Sequence, residues 1–270
     1  MTPAGTTRPP ARVGAVGYLN ARPLTWALDR DPRRWNVRYD VPSVCASLLH
    51  AGEVDLGLIP SIEYLERPDY RFVPGVGIGS FGPVASVALF ARRPVKALRR
   101  IALDASSRTS VALLKILCAR RFGITPEYAP FGPDIEPMLA DCDAALLIGD
   151  PALETDAAAL GVEKVDLGSE WTAMTGLPFI YAAWTGRLGA LGAGDIEALQ
   201  AAQREGMSAV TAIAKEYAGG DQAIEGRAAR YLSDNVRYGL GPDEAAGLQL
   251  FLNYAAELRL APRHRTLEFY

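Results

Sequence analysis

Apolar and polar positions along this chain alternate in blocks, short buried runs followed by stretches at helical spacing, which is the pattern of a mostly parallel α/β sheet. Arg12–Val16 reads as a strand, Pro23–Leu28 as the start of a helix and Trp35–Val41 as a second strand. Pro42 and Ser43 open a helix in which Val44, Leu48 and Leu49 share a face before a stop at Gly52. Residues 54–60 form a short apolar strand that ends on a polar turn at Pro60 and Ser61. The pattern changes over 70–92, where a glycine-rich stretch leads into Val84–Phe90, read as a strand crossing to a second lobe. Strand signals resume at Arg100–Leu103, Tyr128–Ala129 and Ala144–Ile148, with a helix over Val111–Arg121. The β-branched and aromatic content of 170–184 reads as the strand that returns to the first lobe. The remainder is helical, with cap signals at Asp195, Ser208 and Pro242-Asp243.

The expected plan is therefore a discontinuous first lobe (13–92 and 185–270), an inserted second lobe (93–184), a flexible 1–12 and a ligand cleft between lobes joined by two hinge-crossing strands. A length of 270 residues is enough for two such lobes. The composition, 49% hydrophobic and 22% charged, is that of an ordinary globular protein. A net charge of −3 argues against nucleic-acid or membrane-surface partners. Cys45, Cys118 and Cys142 show neither disulfide nor zinc-site spacing and read as buried free thiols. Met1–Arg12 lacks the apolar core of a secretory signal, and no run approaches the roughly 18 apolar residues of a membrane span. A soluble cytoplasmic protein is expected, monomeric or weakly dimeric.

Candidate chemistry gathers at the polar turns after strands, where open α/β sheets bind ligands. Tyr18, Asn20 and Arg22 occupy the first turn and Ser61 the second. The run Asp104-Ala105-Ser106-Ser107-Arg108-Thr109-Ser110 feeds a helix N-terminus, an arrangement suited to an anion through free N–H groups and the positive dipole end. Serine and aspartate also cap helices with no ligand at all, and Arg108 could sit in an exposed ion pair, so both readings stay open. Ser86 lies inside an apolar strand, and Asp150 follows Gly149 at the end of a buried one, as turn former or cleft carboxylate. The two histidines, His50 and His264, accompany no nucleophile or metal-ligand pattern and read as surface residues. No nucleotide loop, dinucleotide fingerprint or Gly-x-Ser-x-Gly elbow is present, so neither metal nor cofactor is expected.

Taken together, Gly17-Tyr18-Leu19-Asn20-Ala21-Arg22-Pro23-Leu24, Leu58-Ile59-Pro60-Ser61, Ser106-Ser107-Arg108-Thr109-Ser110 and Thr175-Gly176-Leu177-Pro178-Phe179 resemble the chorismate dehydratase family of the futalosine route to menaquinone. The resemblance runs from about residue 12 into the C-terminal helices. It implies a type II periplasmic-binding-protein-like fold turned to cofactor-free catalysis on chorismate, with loss of water and aromatisation of the ring. It also implies substrate-binding roles for Tyr18, Arg22, Ser61, Ser106–Ser110, Gly149 and Thr175, and catalytic roles for Asn20 and Ser86. A sister enzyme of that pathway carries a histidine where this chain has Gly149, so that role is not carried over. The base is then either Asp150, given burial that raises its pKa, or the substrate's own enolpyruvyl carboxylate. The rival from another class is a non-catalytic binding protein or sensor for an aromatic or dicarboxylate ligand, since this fold is mostly used for binding.

Overall fold

A computed structural model describes residues 9–270 as two five-stranded mixed sheets flanked by helices. The expected flexible segment 1–12 lies outside the described residues over 1–8, and Ala11 and Arg12 already belong to β1 (Ala11–Val16). The first sheet adds β2 (Trp35–Asp40), β3 (Leu56–Pro60), β4 (Tyr70–Ser80) and β10 (Phe179–Arg187) in the order β2-β1-β3-β10-β4. The second is built from β5 (Val87–Ala91), β6 (Arg100–Asp104), β7 (Glu127–Phe131), β8 (Ala144–Ile148) and β9 (Glu163–Asp166) in the order β7-β6-β8-β5-β9.

The two orders are the same design. Each sheet has a parallel trio, and next to it the strand that has just arrived from the other sheet, antiparallel to both of its neighbours. No internal repeat is visible in the sequence, so the likeness lives in topology alone. Strand pairing also moves the expected lobe boundaries. Val87–Ala91 pairs in the second sheet, against the expectation that 13–92 stays in the first, and Phe179–Arg187 pairs in the first, so the chain crosses before β5 and before β10.

Composition explains the strands. β3, β5 and β8 are buried at every position, the continuous apolar runs of strands covered on both faces. In the second sheet Val87, Leu89, Ile101, Leu103, Leu146 and Ile148 join the main core, while the alternate Ala88, Phe90, Ala102, Ala145 and Leu147 pack with Met138 and Leu139 of α4 (Ile135–Asp141) on the other face.

The helices follow their caps. α2 (Pro42–Ala51) starts on Pro42 and stops at Gly52 with φ 77°, and α3 (Arg108–Leu117) begins three residues earlier than the apolar pattern predicts because Ser107 caps it. The stretch read as part of a returning strand at 170–175 is instead α6 (Leu167–Thr175), capped by the Asp166 carboxylate accepting from Ser169 N–H and closed by Gly176 with φ 70°. Trp171 supplies the apolar reason: its indole packs edge-on against Phe179 and Phe251, so the helix is buried through a large aromatic rather than through helical periodicity. α1 (Arg22–Thr25) is a single turn. α5 (Gly149–Glu154) follows β8 directly, and α7 (Ala193–Ser208), α8 (Val210–Ala218), α9 (Gln222–Arg230) and α10 (Pro242–Glu257) complete the chain. Among the described residues no helix is long and apolar enough to cross a membrane.

Candidate active site

The carboxyl ends of β1, β3 and β8 and the segment between β4 and β5 meet around a small cavity. Tyr18, Asn20, Ser86, Ser107, Ser110 and Gly149 line it, with Val16, Ile78, Val84, Ile148 and Tyr181 as apolar wall. The sequence reading therefore placed six of its candidates on one surface. Among the described residues that line it, none has a charged side chain. The first residues of α2 (Pro42) and α5 (Gly149) and the cap of α3 (Ser107) all line the space, so helix N-termini, the ends that favour negative charge, converge there.

The hydroxyl pair at the start of α3 is anchored. Ser107 Oγ accepts from Ser110 N–H at 3.3 Å and donates to Ser110 Oγ at 2.9 Å, so this pair caps α3 and faces the cavity at once. Behind it Asp104, with no exposed surface, accepts from Ser106 N–H at 2.9 Å through Oδ1, while its Oδ2 and the Ser106 hydroxyl have no hydrogen-bond partner. Burial raises the Asp104 pKa. The Tyr18 ring lies over Gly149, so close that a Cβ built on that glycine would come within 2.7 Å of it. Burial likewise raises the Tyr18 phenol's pKa.

The remaining candidates do not line the cavity; Asp150, Thr109, Ser61, Ser106 and Arg108 tie its two sides together, while Arg22 and Thr175 do neither. Asp150 accepts from Leu19 N–H at 3.0 Å, and burial is the largest cause of its raised pKa. Thr109 Oγ1 accepts from Ile62 N–H at 3.2 Å and lies 3.5 Å from Ser61 Oγ, which itself donates to Ile180 O at 2.7 Å. Ser106 O accepts from Ser43 N–H at 3.1 Å. Arg108, expected to hold a substrate carboxylate, donates instead to the buried Glu63 at 2.8 Å. The same Glu63 oxygen holds His50 Nε2 at 2.6 Å while His50 Nδ1 meets Tyr70 OH at 2.7 Å. His50 is thus a member of a bonded network and not the surface residue expected. Arg22 pairs with Glu216 at 3.7 Å on the far side of the first turn, and Thr175 caps the end of α6 by donating to Trp171 O at 2.9 Å.

A family model described as menaquinone biosynthesis matches residues 11–257. The chain belongs to the menaquinone biosynthesis family. Among relatives of this menaquinone biosynthesis protein is the chorismate dehydratase of Thermus thermophilus, 33% identical over 274 residues that cover 94% of this chain and 97% of the relative. Solved structures of the same fold include protein AF1704 from Archaeoglobus fulgidus, with a TM-score of 0.75, 20% identity and coverage of 95% and 100% of the two chains. The alkanesulfonate-binding protein SsuA of Xanthomonas axonopodis bound to MOPS superposes with a TM-score of 0.68 at 18% identity, covering 96% and 97%. The periplasmic aliphatic sulphonate binding protein SsuA of Escherichia coli does so at 0.64 and 20%, covering 97% and 94%. The fold of the family member described here is that of the periplasmic binding proteins.

Two neighbours of the cavity escaped the sequence reading. Tyr181, on the returning strand, closes the apolar wall with its hydroxyl 3.1 Å from Ser80 Oγ. Tyr231 reaches Ser86 from a single turn of π-helix after α9, at a sequence distance of 145 residues. Nothing local marks either one. A tyrosine in an apolar segment reads as core, and only the tertiary fold shows where its hydroxyl points.

Proposed function

We propose that this chain is a chorismate dehydratase, converting chorismate to 3-(1-carboxyvinyloxy)benzoate and water. The observation that carries the reading is the near full-length match to the chorismate dehydratase of Thermus thermophilus. The cavity supports it. Chorismate is a small dianion, and the pocket meets it with three converging helix starts and with hydroxyl groups, without a lining cation.

In the proposed reaction the C3 proton leaves, its electron pair forms a ring double bond, and the C4–O bond breaks, the departing hydroxide taking up a proton to leave as water. The C3 position is conjugated to the ring carboxylate, so preorganised donors around that carboxylate lower the barrier to deprotonation. The Ser107–Ser110 cap and the start of α3 hold a substrate carboxylate in this reading. Asn20 and Ser86 bond the departing hydroxyl or the enolpyruvyl group.

For the base, the placement of Asp150 favours substrate assistance. Its carboxylate lies outside the cavity lining and is engaged by Leu19 N–H across the cleft. Asp150→Asn keeps an oxygen for that N–H, and we expect it to retain kcat within about fivefold. A loss of several orders of magnitude in kcat, with chorismate binding intact, would return the base role to Asp150.

The activity itself is tested by incubating purified protein with chorismate and following products by NMR, beside an Asn20→Ala control. Formation of the carboxyvinyloxybenzoate over many turnovers, lost in the control, is the expected result. Chorismate left unchanged beyond its spontaneous decay would overturn the dehydratase and favour a binding protein.

A further inference from the structure

Ser86 is held in the cavity wall through both its backbone and its side chain. Its N–H donates to Val84 O at 2.8 Å, closing a three-residue turn around Ala85, whose φ of 64° is one of two positive values among the described non-glycine residues. A residue with a side chain takes up such a backbone only when its surroundings over-determine it. Here they do: the Asp166 carboxylate accepts from Val84 N–H at 3.0 Å and from Ala85 N–H at 2.6 Å, and Gly149 N–H donates to Ser86 O at 2.8 Å. The side chain is fixed as well. Tyr231, 3% exposed, donates its hydroxyl to Ser86 Oγ at 2.6 Å.

A serine hydroxyl has a single proton and two lone pairs. With Tyr231 donating to one lone pair, the Ser86 proton is left to give, and among the described residues no protein acceptor takes it at this buried residue of the cavity lining. The Asn20 side chain sits against the same phenol, so two lining residues on opposite sides of the cleft share one buried tyrosine. Burial keeps that phenol protonated at ordinary pH, which makes it a constant donor. The C-terminal segment is itself secured: Asn235 Nδ2 donates to Pro83 O at 3.1 Å, and Arg237 and Gly79 exchange two backbone bonds of 2.8 Å.

We infer that Tyr231 is a positioning residue that holds the Ser86 hydroxyl as an aimed donor to the ligand in the cavity, and so couples the C-terminal helices to the chemistry. This inference rests on the proposed dehydratase activity for its kinetic form. A tyrosine that only fills space is the alternative, and it differs in what the phenol-to-phenyl change does once Ser86 has been removed.

The test is a double-mutant cycle of Tyr231→Phe and Ser86→Ala, reading kcat, KM and Tm together with the chorismate Kd by calorimetry. Tyr231→Phe is expected to lower kcat about tenfold with KM within about twofold. In the Ser86→Ala background the same change should cost less than about twofold, because the hydroxyl it orients is gone. Wild-type kcat in Tyr231→Phe, or equal losses in both backgrounds, would overturn the inference while leaving the dehydratase reading intact. If the wild type binds chorismate without consuming it, the dehydratase reading falls and the same cycle in Kd decides the positioning role. A wild type that neither binds nor converts chorismate overturns both.

Discussion

Gly149→Ala is expected to lower kcat/KM for chorismate by at least about a hundredfold, which corresponds to roughly 2.7 kcal/mol of transition-state stabilisation. The reason is steric and local. Gly149 adopts φ 62°, a conformation that costs a residue with a side chain on the order of 1 kcal/mol, and its added methyl would stand 2.7–2.9 Å from Cδ2, Cε2 and Cγ of Tyr18. The methyl cannot be accommodated by the flexible end of a side chain, since the ring atoms it meets are the near edge of a half-buried aromatic. Either the Tyr18 ring swings into the cavity or the start of α5 shifts, taking with it the N–H that holds Ser86 O. Both outcomes disturb the same wall. Steady-state kinetics on Gly149→Ala, with Tm as a check on folding, measures the effect. The double variant Tyr18→Ala/Gly149→Ala should recover part of the lost Tm, since the colliding ring is absent. Near wild-type kcat/KM in Gly149→Ala would show that Tyr18 does not shape the site.

Gly149 also shows where the sequence was informative. The run Ala144–Ile148 followed by Gly149-Asp150-Pro151 announces a buried strand ending at a turn, and turns at the carboxyl ends of parallel strands are where the cavity lies. The same logic brought Tyr18, Asn20, Ser107 and Ser110 to the site, because each sits at a strand-to-helix junction whose position is local. Charge was less legible. Arg108 stands in a hydroxyl-rich loop, but its partner Glu63 lies 45 residues away on an element joined only by the fold, and the ion pair takes the guanidinium out of the cleft. Arg22 is drawn aside by Glu216 in the same way. Caps and glycine stops are local signals that were readable at α2; α6 carries the same signals in Asp166 and Gly176, but they are masked by the β-like aromatic content around Trp171, whose packing against Phe179 and Phe251 no local period reveals. The first crossing follows a Gly82-Pro83 break and the second follows α6, but neither break says which sheet the next strand joins, and pairing decides that Val87–Ala91 leaves the first sheet.

The tightest constraint in the first sheet's helical cover is Gly206, and Gly206→Ala should be the most destabilising glycine-to-alanine substitution in the C-terminal helices. A Cβ there would stand 1.8 Å from the Pro23 carbonyl oxygen and 2.6 Å from its carbon, so α7 packs on α1 through direct backbone approach. Neither partner has freedom to yield: Pro23 is fixed in the short helix that follows the Asn20 turn, and Gly206 lies buried in the last turn of α7. Overpacking of this kind costs about 3 kcal/mol or more, a fall in Tm of roughly 6–12 °C for a chain of this size. Gly226→Ala provides the comparison within the same helical region. It lies inside α9, where the nearest group to an added methyl is the mobile guanidinium end of Arg230 at 3.6 Å, so the substitution should raise stability by about 0.5–1 kcal/mol through helix propensity. Thermal and denaturant unfolding of the two variants would measure opposite signs for one chemical change. A loss below about 1 kcal/mol at Gly206 would mean that α1 can slide away from α7, and because α1 begins two residues after Asn20, chorismate KM in that variant would then report how far the turn moves with it.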